Sequence, residues 1–205
     1  MKGTKERILD ASVSLFNQHG VVNVRLQHIA DEAFLSIGNL AYHYKNKEAI
    51  VVAIHEDLQN DLKALMSELN IVPLFEYMDH YFHQLFLLQR HYGFFFTDML
   101  EVFRNYPNIK EEHVQLIDWQ KGQYRQMLTF NENRGVLRLS DWPEQLDFTI
   151  DQLWMQSYLY GNFQSIHDLP QTNKDYCNRI WGTIIPLLTP MGINELKQLG
   201  TGIVR

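Results

Sequence analysis

The sequence predicts an all-α protein, and three observations carry that prediction. Apolar residues return every three or four positions along most of the 205 residues, the period of one face of a helix. Helix punctuation sits where those runs start and stop: Gly20 behind the first, Ser36 and Asn46 ahead of later ones, prolines at 73 and 143 near further starts. Alternating strand patterns are missing, apart from a short extended connector at 136–139.

Taken in order, Ile8, Ala11, Ser12, Leu15 and Phe16 make the inward stripe of a helix over 4 to 18 or 19, closed by Gly20. Leu26, Ile29, Ala30 and Ala33 mark a second, short helix. A third follows Ser36, with Leu40 and Tyr44 four apart on the face that closes against the second. Asn46 caps a long fourth helix carrying Ile50, Ile54, Leu58, Leu62, Leu65 and Leu69. After a break at 70–73, an aromatic-rich helix runs from 74 to about 91, and Phe94, Met99, Leu100 and Phe103 imply another, stopped at Pro107. A helix over 108–130, a turn-rich loop at 131–135, a helix over 141–163 and a last long one over 173–188 complete the body. Pro186 is expected to bend or end that last helix, and one more short turn is expected near 194–199.

Composition bounds the function. With 45% hydrophobic and 13% aromatic residues, the chain has enough apolar surface to fold. Its one cysteine, Cys177, rules out an internal disulfide and fits a reducing compartment. No signal-like apolar core follows the basic N-terminal residues, and no run approaches the ~20 apolar residues of a membrane helix. A soluble cytoplasmic protein is the expectation. Net charge is −6, which taken alone argues against nucleic acid, yet residues 1–50 hold six basic and five acidic side chains. A near-neutral N-terminal module therefore precedes an acidic body.

Catalytic signatures are missing: no Gly-x-Ser-x-Gly elbow, no phosphate-binding Gly-rich loop and no dinucleotide fingerprint. Glu76, His80 and His83 share a helix face, but neither a His-Glu-x-x-His pattern nor a cysteine pair accompanies them. Neither an enzyme, a metal nor a cofactor is expected.

The stretch 25–44 organises the chain. Two short helices joined by a tight turn leave Ile37, Gly38, Asn39, Tyr42 and His43 pointing outward, an odd mixture for a solvated face. A helix-turn-helix whose second helix enters a DNA major groove explains it. These residues resemble the DNA-binding domain of the tetracycline-repressor (TetR) family of bacterial regulators. The resemblance lies in Phe16 with Gly20, in Ile29-Ala30, and in the run from 36 to 47, Ser-Ile-Gly-Asn-Leu-Ala-Tyr-His-Tyr-Lys-Asn-Lys. It covers about a quarter of the chain and implies a DNA-binding domain over 1–47, then an effector-binding and dimerisation domain over 48–205.

Three departures from the family pattern stand out. Phe34 stands where the turn usually has glycine, and a left-handed backbone there costs a bulky residue energy, so a reshaped turn is expected. Val24 and Arg25 replace a polar cap, and Ala41 stands where a tyrosine is common.

Within the module, Ser36, Tyr42, His43 and Lys47 suit phosphate contacts, and Arg25 offers a further charged one. Asn39 suits bidentate pairing with adenine and Ile37 contact with a thymine methyl, while Gly38 lets the helix approach closely. Gln27 and His28 also come within reach of base edges. In the body, Phe95, Met99, Phe103, Trp119, Met127, Trp154 and Tyr158, with Gln123 as a polar neighbour, either line an effector cavity or form plain core. The resemblance implies such a cavity, and it implies pairing of the last two long helices with their mates in a dimer. Leu153, Ser157, Gly161, Ile180 and Ile184 are the candidate interface residues. The implied protein is a homodimeric regulator on palindromic operator DNA, a repressor released by a small hydrophobic or aromatic effector. The rival readings are a helical small-molecule-binding protein and a regulator answering to a protein partner.

Overall fold

A computed structural model describes residues 3–69, 73–139, 142–166 and 172–200. Among these residues the chain forms eleven α-helices: α1 (Thr4–His19), α2 (Leu26–Glu32), α3 (Ile37–His43), α4 (Lys47–Leu69), α5 (Phe75–His91), α6 (Gly93–Thr97), α7 (Met99–Asn105), α8 (Pro107–Asn133), α9 (Gln145–Ile166), α10 (Asn173–Ile184) and α11 (Pro190–Gln198). No sheet accompanies them among the described residues, only an isolated antiparallel bridge between Leu137 and Leu188. The helices group into two compact units, residues 1–61 with 89–114, and residues 62–88 with 115–205. Asp141 and residues 70–72 of the expected break at 70–73 lie outside the described residues.

In the first unit, α1 buries Ile8, Ala11, Val13 and Phe16, and the buried Ser12 hydroxyl is satisfied by donating to the Ile8 carbonyl at 2.7 Å. Gly20 ends α1 at φ 75°, its N–H returning to the Phe16 carbonyl. Ile29 and Ala30 of α2 and Leu40 of α3 are fully buried, with Val21 and Val24 from the loop before them. The α2–α3 turn is not reshaped. Phe34 N–H donates to the Asp31 carbonyl at 3.1 Å and Leu35 N–H to the Ala30 carbonyl at 2.9 Å, the double bond pattern of a left-handed helix ending. Phe34 takes the left-handed conformation that this ending demands, at φ 55°.

Asn46 caps α4 as expected, accepting from the Ala49 N–H at 2.9 Å. The single helix expected through 94–103 is instead two, α6 and α7, parted at Asp98. Its N–H closes α6 on the Phe94 carbonyl, while its own carbonyl starts α7 by accepting from Glu101 and Val102. Phe94 of α6 meets Phe16 edge-on at 5.2 Å. Asn17 fastens that contact: its amide donates to the His91 carbonyl at 2.8 Å and accepts from the Phe94 N–H at 2.9 Å.

The second unit is built on Trp181, which meets Phe75 and Phe82 edge-on and donates its indole N–H to Asp79 at 2.8 Å. Here α8 runs into the expected loop at 131–135 and ends at Asn133, with the buried Asn131 amide donating to the carbonyls of Pro73 and Met127. Helix α9 starts at Gln145 rather than 141, since residues 142–144 form a tight turn closed by Gln145 N–H on the Trp142 carbonyl. Pro186 falls in a 3-10 turn (Ile185–Leu187) that ends α10. The expected last turn is a full helix, α11. A Cβ at Gly192 would lie 2.1 Å from the Val136 carbonyl oxygen, so glycine lets α11 approach the 136–139 connector.

Candidate nucleic-acid interface

Helix α3 is short, and its orientation follows from one anchor. Leu40 is fully buried, Ser36 Oγ accepts from the Asn39 N–H at 3.2 Å, and the remaining side chains turn outward. Ile37 is 43% exposed and Tyr42 84%, with Gly38, Asn39 and Ala41 also exposed and His43 half-buried. Tyr42 and His43 brace one another edge-on at 5.2 Å. Arg25, just ahead of α2, and Gln27 on it are exposed as well. Gln27 donates to Asp31 at 2.7 Å, which leaves its amide oxygen outward, and the Arg25 N–H donates to His28 Nδ1 at 3.3 Å. That bond satisfies the N–H of the residue ahead of the helix, while Arg25 itself provides no side-chain cap to the first amides of α2. Ser36, Ile37, Gly38, Asn39 and Tyr42 thus share one surface.

Lys47 does not join them. Its ammonium donates to the carbonyls of Val21, Val22 and Val24 at 2.8, 3.3 and 3.0 Å, which occupies all three of its N–H bonds, and burial lowers its pKa. The expected phosphate ligand is a clamp between α4 and the loop before α2. Its partners are backbone atoms about 25 residues away, and no spacing rule announces them. The sequence reading also left out Phe34 as a surface feature, although its side chain is 89% exposed beside α3. The missing glycine was the available signal.

The aromatic candidates divide. Phe95, Met99 and Phe103 fall in the first unit, where Phe95 is buried against His55 and Phe103 meets His113 at 5.3 Å. His55 Nε2 and His113 Nδ1 are 3.1 Å apart, and Gln59 binds the other nitrogen of His55. Burial pushes the pKa of His55 down to about 4 and that of His113 to about 3, the latter also through His55 itself, so both rings are neutral.

Trp119, Gln123, Met127, Trp154 and Tyr158 fall in the second unit. There Tyr158 donates to Gln120 and stacks on Trp154 at 4.8 Å, and the hydroxyls of Tyr81 and Tyr124 are 3.2 Å apart. Gln120 Nε2, Gln123 Oε1 and Trp154 Nε1 are buried without a hydrogen-bond partner among the described residues. Gln120 was not among the sequence candidates. Both ring nitrogens of His83 are turned to Asn173 and Asp79, and Cys177 is buried with its thiol pushed up to about 12, unsuited to nucleophilic work.

A family model described as "Bacterial regulatory proteins, tetR family" matches residues 8–54, and one described as "Bacterial transcriptional repressor" matches residues 56–196. The chain belongs to the TetR family of bacterial transcriptional regulators. A TetR-family regulator from Marinobacter aquaeolei superposes with a TM-score of 0.85 at 20% identity, over 96% of this chain and 97% of its own. The regulator PfmR of Thermus thermophilus gives 0.69 at 20%, covering 87% and 97%, and the fatty acid degradation regulator FadR of Bacillus halodurans 0.68 at 13%, covering 88% and 94%. An uncharacterized helix-turn-helix regulator in the dhlA 5' region of Xanthobacter autotrophicus is 25% identical over 124 residues, 60% of each chain. Regulators of this family bind operator DNA and usually act as dimers. No described helix is long and apolar enough to cross a membrane.

In this TetR-family chain the candidate interface residues need correction. Leu153, Ser157, Ile180 and Ile184 are buried within the second unit, where α9 and α10 pack on one another, and so are closed to a partner. Gly161 is half-buried, with open space where a Cβ would be. The other side of the same two helices is open. Met155 and Leu159, 45% and 43% exposed, line a groove of about 710 Å³ with Gln152, Gly182, Thr183 and Pro186.

Proposed function

We propose that this regulator is a homodimeric repressor that binds palindromic operator DNA through α3. The observation that carries the reading is the outward set Ser36, Ile37, Asn39 and Tyr42, held over a fully buried Leu40. Asn39 is assigned to adenine, Ile37 to a thymine methyl, and Ser36, Tyr42, His43 and Arg25 to phosphates. Residues 1–47 are the DNA-binding domain and 48–205 the effector and dimerisation domain. Two recognition helices meet successive major grooves about 34–36 Å apart only in a dimer. The exposed groove over α9 and α10, with its apolar Met155 and Leu159, is the face assigned to the mate.

The effector is assigned to the α8–α9 cluster, where aromatic rings surround buried, unmatched polar atoms of Gln120, Gln123 and Trp154. A small aromatic molecule carrying hydrogen-bonding groups suits it. Release follows if that molecule binds more tightly to a conformer with the wrong helix separation. A regulator of operator DNA works beside the chromosome, and the cytoplasm is the compartment assigned to this one.

The test is selection of duplexes from a random pool by the purified protein, followed by a salt series. A palindromic site should emerge, and its affinity should fall steeply as salt rises. Asn39→Ala should relax preference at one position of each half-site, by about 1–3 kcal/mol of discrimination. Failure to enrich any sequence over the pool would reject the reading.

A further inference from the structure

Phe34 combines two features that folding alone does not reward. It occupies the position after α2 where the ending requires a left-handed backbone, at φ 55°, a conformation that disfavours side chains with a Cβ. It then leaves its ring 89% exposed, so the unfavourable backbone is not offset by burial of the side chain. Two bonds, Phe34 N–H to Asp31 and Leu35 N–H to Ala30, hold the turn in place, and Arg7 donates to the Ala33 carbonyl beside it. A residue at odds with its backbone and with water, on a rigid turn, points to a partner. The turn ends two residues before Ser36, the cap of α3, and the first residues of a recognition helix are those that meet base edges. Ile37 and Tyr42 are exposed beyond it, while Lys47, the cation expected nearby, is consumed by carbonyls. Phe34 and Ile37 thus offer apolar contacts on a surface that also exposes Arg25 and Lys45.

We propose that Phe34 is a specificity-determining DNA contact, its ring meeting a thymine 5-methyl at the edge of each half-site. The inference rests on the regulator reading above and adds a base to it. Phenylalanine is among the side chains that read the thymine methyl in the major groove.

The test uses the full-length protein and a 30-bp duplex (roughly one half-site pair with flanks) carrying the site that wild type selects. In parallel, each thymine of that duplex is replaced by deoxyuridine, which removes only the methyl. Phe34→Gly should raise the thermal midpoint by about 2–4 °C, through relief of the backbone. It should also weaken binding at least about fivefold, the lower bound for losing one read base pair. One symmetric thymine-to-deoxyuridine change should weaken wild type and leave Phe34→Gly unaffected. Phe34→Asn, whose side chain tolerates the left-handed backbone, should behave like Phe34→Gly and guards against a glycine-specific loosening of the turn. Unchanged affinity in both variants, or an equal deoxyuridine penalty in wild type and variants at every position, would overturn the inference while leaving the regulator reading intact. A wild-type protein that selects no site would overturn both.

Discussion

The two units bury polar groups for opposite ends. In the first, the part-buried Lys47 spends all three N–H bonds on carbonyls and the buried His55 engages both ring nitrogens. In the second, Gln120, Gln123 and Trp154 each keep a buried polar atom unmatched. A satisfied buried group fixes geometry, whereas an unmatched one costs free energy until something binds it. The first unit is fastened around the recognition helix, and the second holds open valences where an effector is proposed.

The largest expected effect tests the fastening by acid. His55 and His113 stay neutral in the fold, with pKa values of about 4 and about 3, while unfolded histidines titrate near 6.5. Below about pH 6.5 the unfolded chain takes up protons that the folded chain refuses, so stability is complete above that pH and falls toward pH 4. Each group contributes a slope of about 1.4 kcal/mol per pH unit in that window. Urea unfolding at pH 7, 5.5 and 4.5 measures it, and His113→Gln should flatten the decline. A slope unchanged in that variant means that the pair is not its source.

Lys47→Met comes next. It strips three carbonyls of their donor and should cost about 1–3 kcal/mol, seen as a lower midpoint in thermal denaturation. The comparison is sharpest against Trp154→Phe, which removes an unmatched N–H rather than a used one. Without ligand that change should cost only the packing of the lost ring, about 1 kcal/mol, with nothing added for a lost hydrogen bond. If Trp154→Phe costs as much as Lys47→Met, the indole N–H already has a partner and the contrast between the units fails.

Much of this architecture was legible because its causes are local. The stripe of α1, the Ser36 and Asn46 caps and the burial of Leu40 depend on residues a turn or less apart. The outward face of α3 followed from the same periodicity. Long-range partners were not legible. Nothing near Lys47 in sequence indicates the Val21–Val24 carbonyls, and nothing near Gln120 indicates Tyr158. Helix α9 shows a different limit. It is apolar on two faces, one with Ile150 and Leu153, the other with Phe148, Met155 and Leu159, and periodicity cannot say which is inside. The first face is packed inside the unit and the second is the one left exposed.

The Asn17 fastening has a consequence for descent. Its amide reaches only main-chain atoms of residues 91 and 94, so the bond to position 91 is blind to the side chain there. Position 93 is tighter, because a Cβ at Gly93 would come within 3.2 Å of the Asn17 oxygen and press on it. Among descendants of a common ancestor, positions 17 and 93 should change hands together, while 91 drifts without trace of this contact.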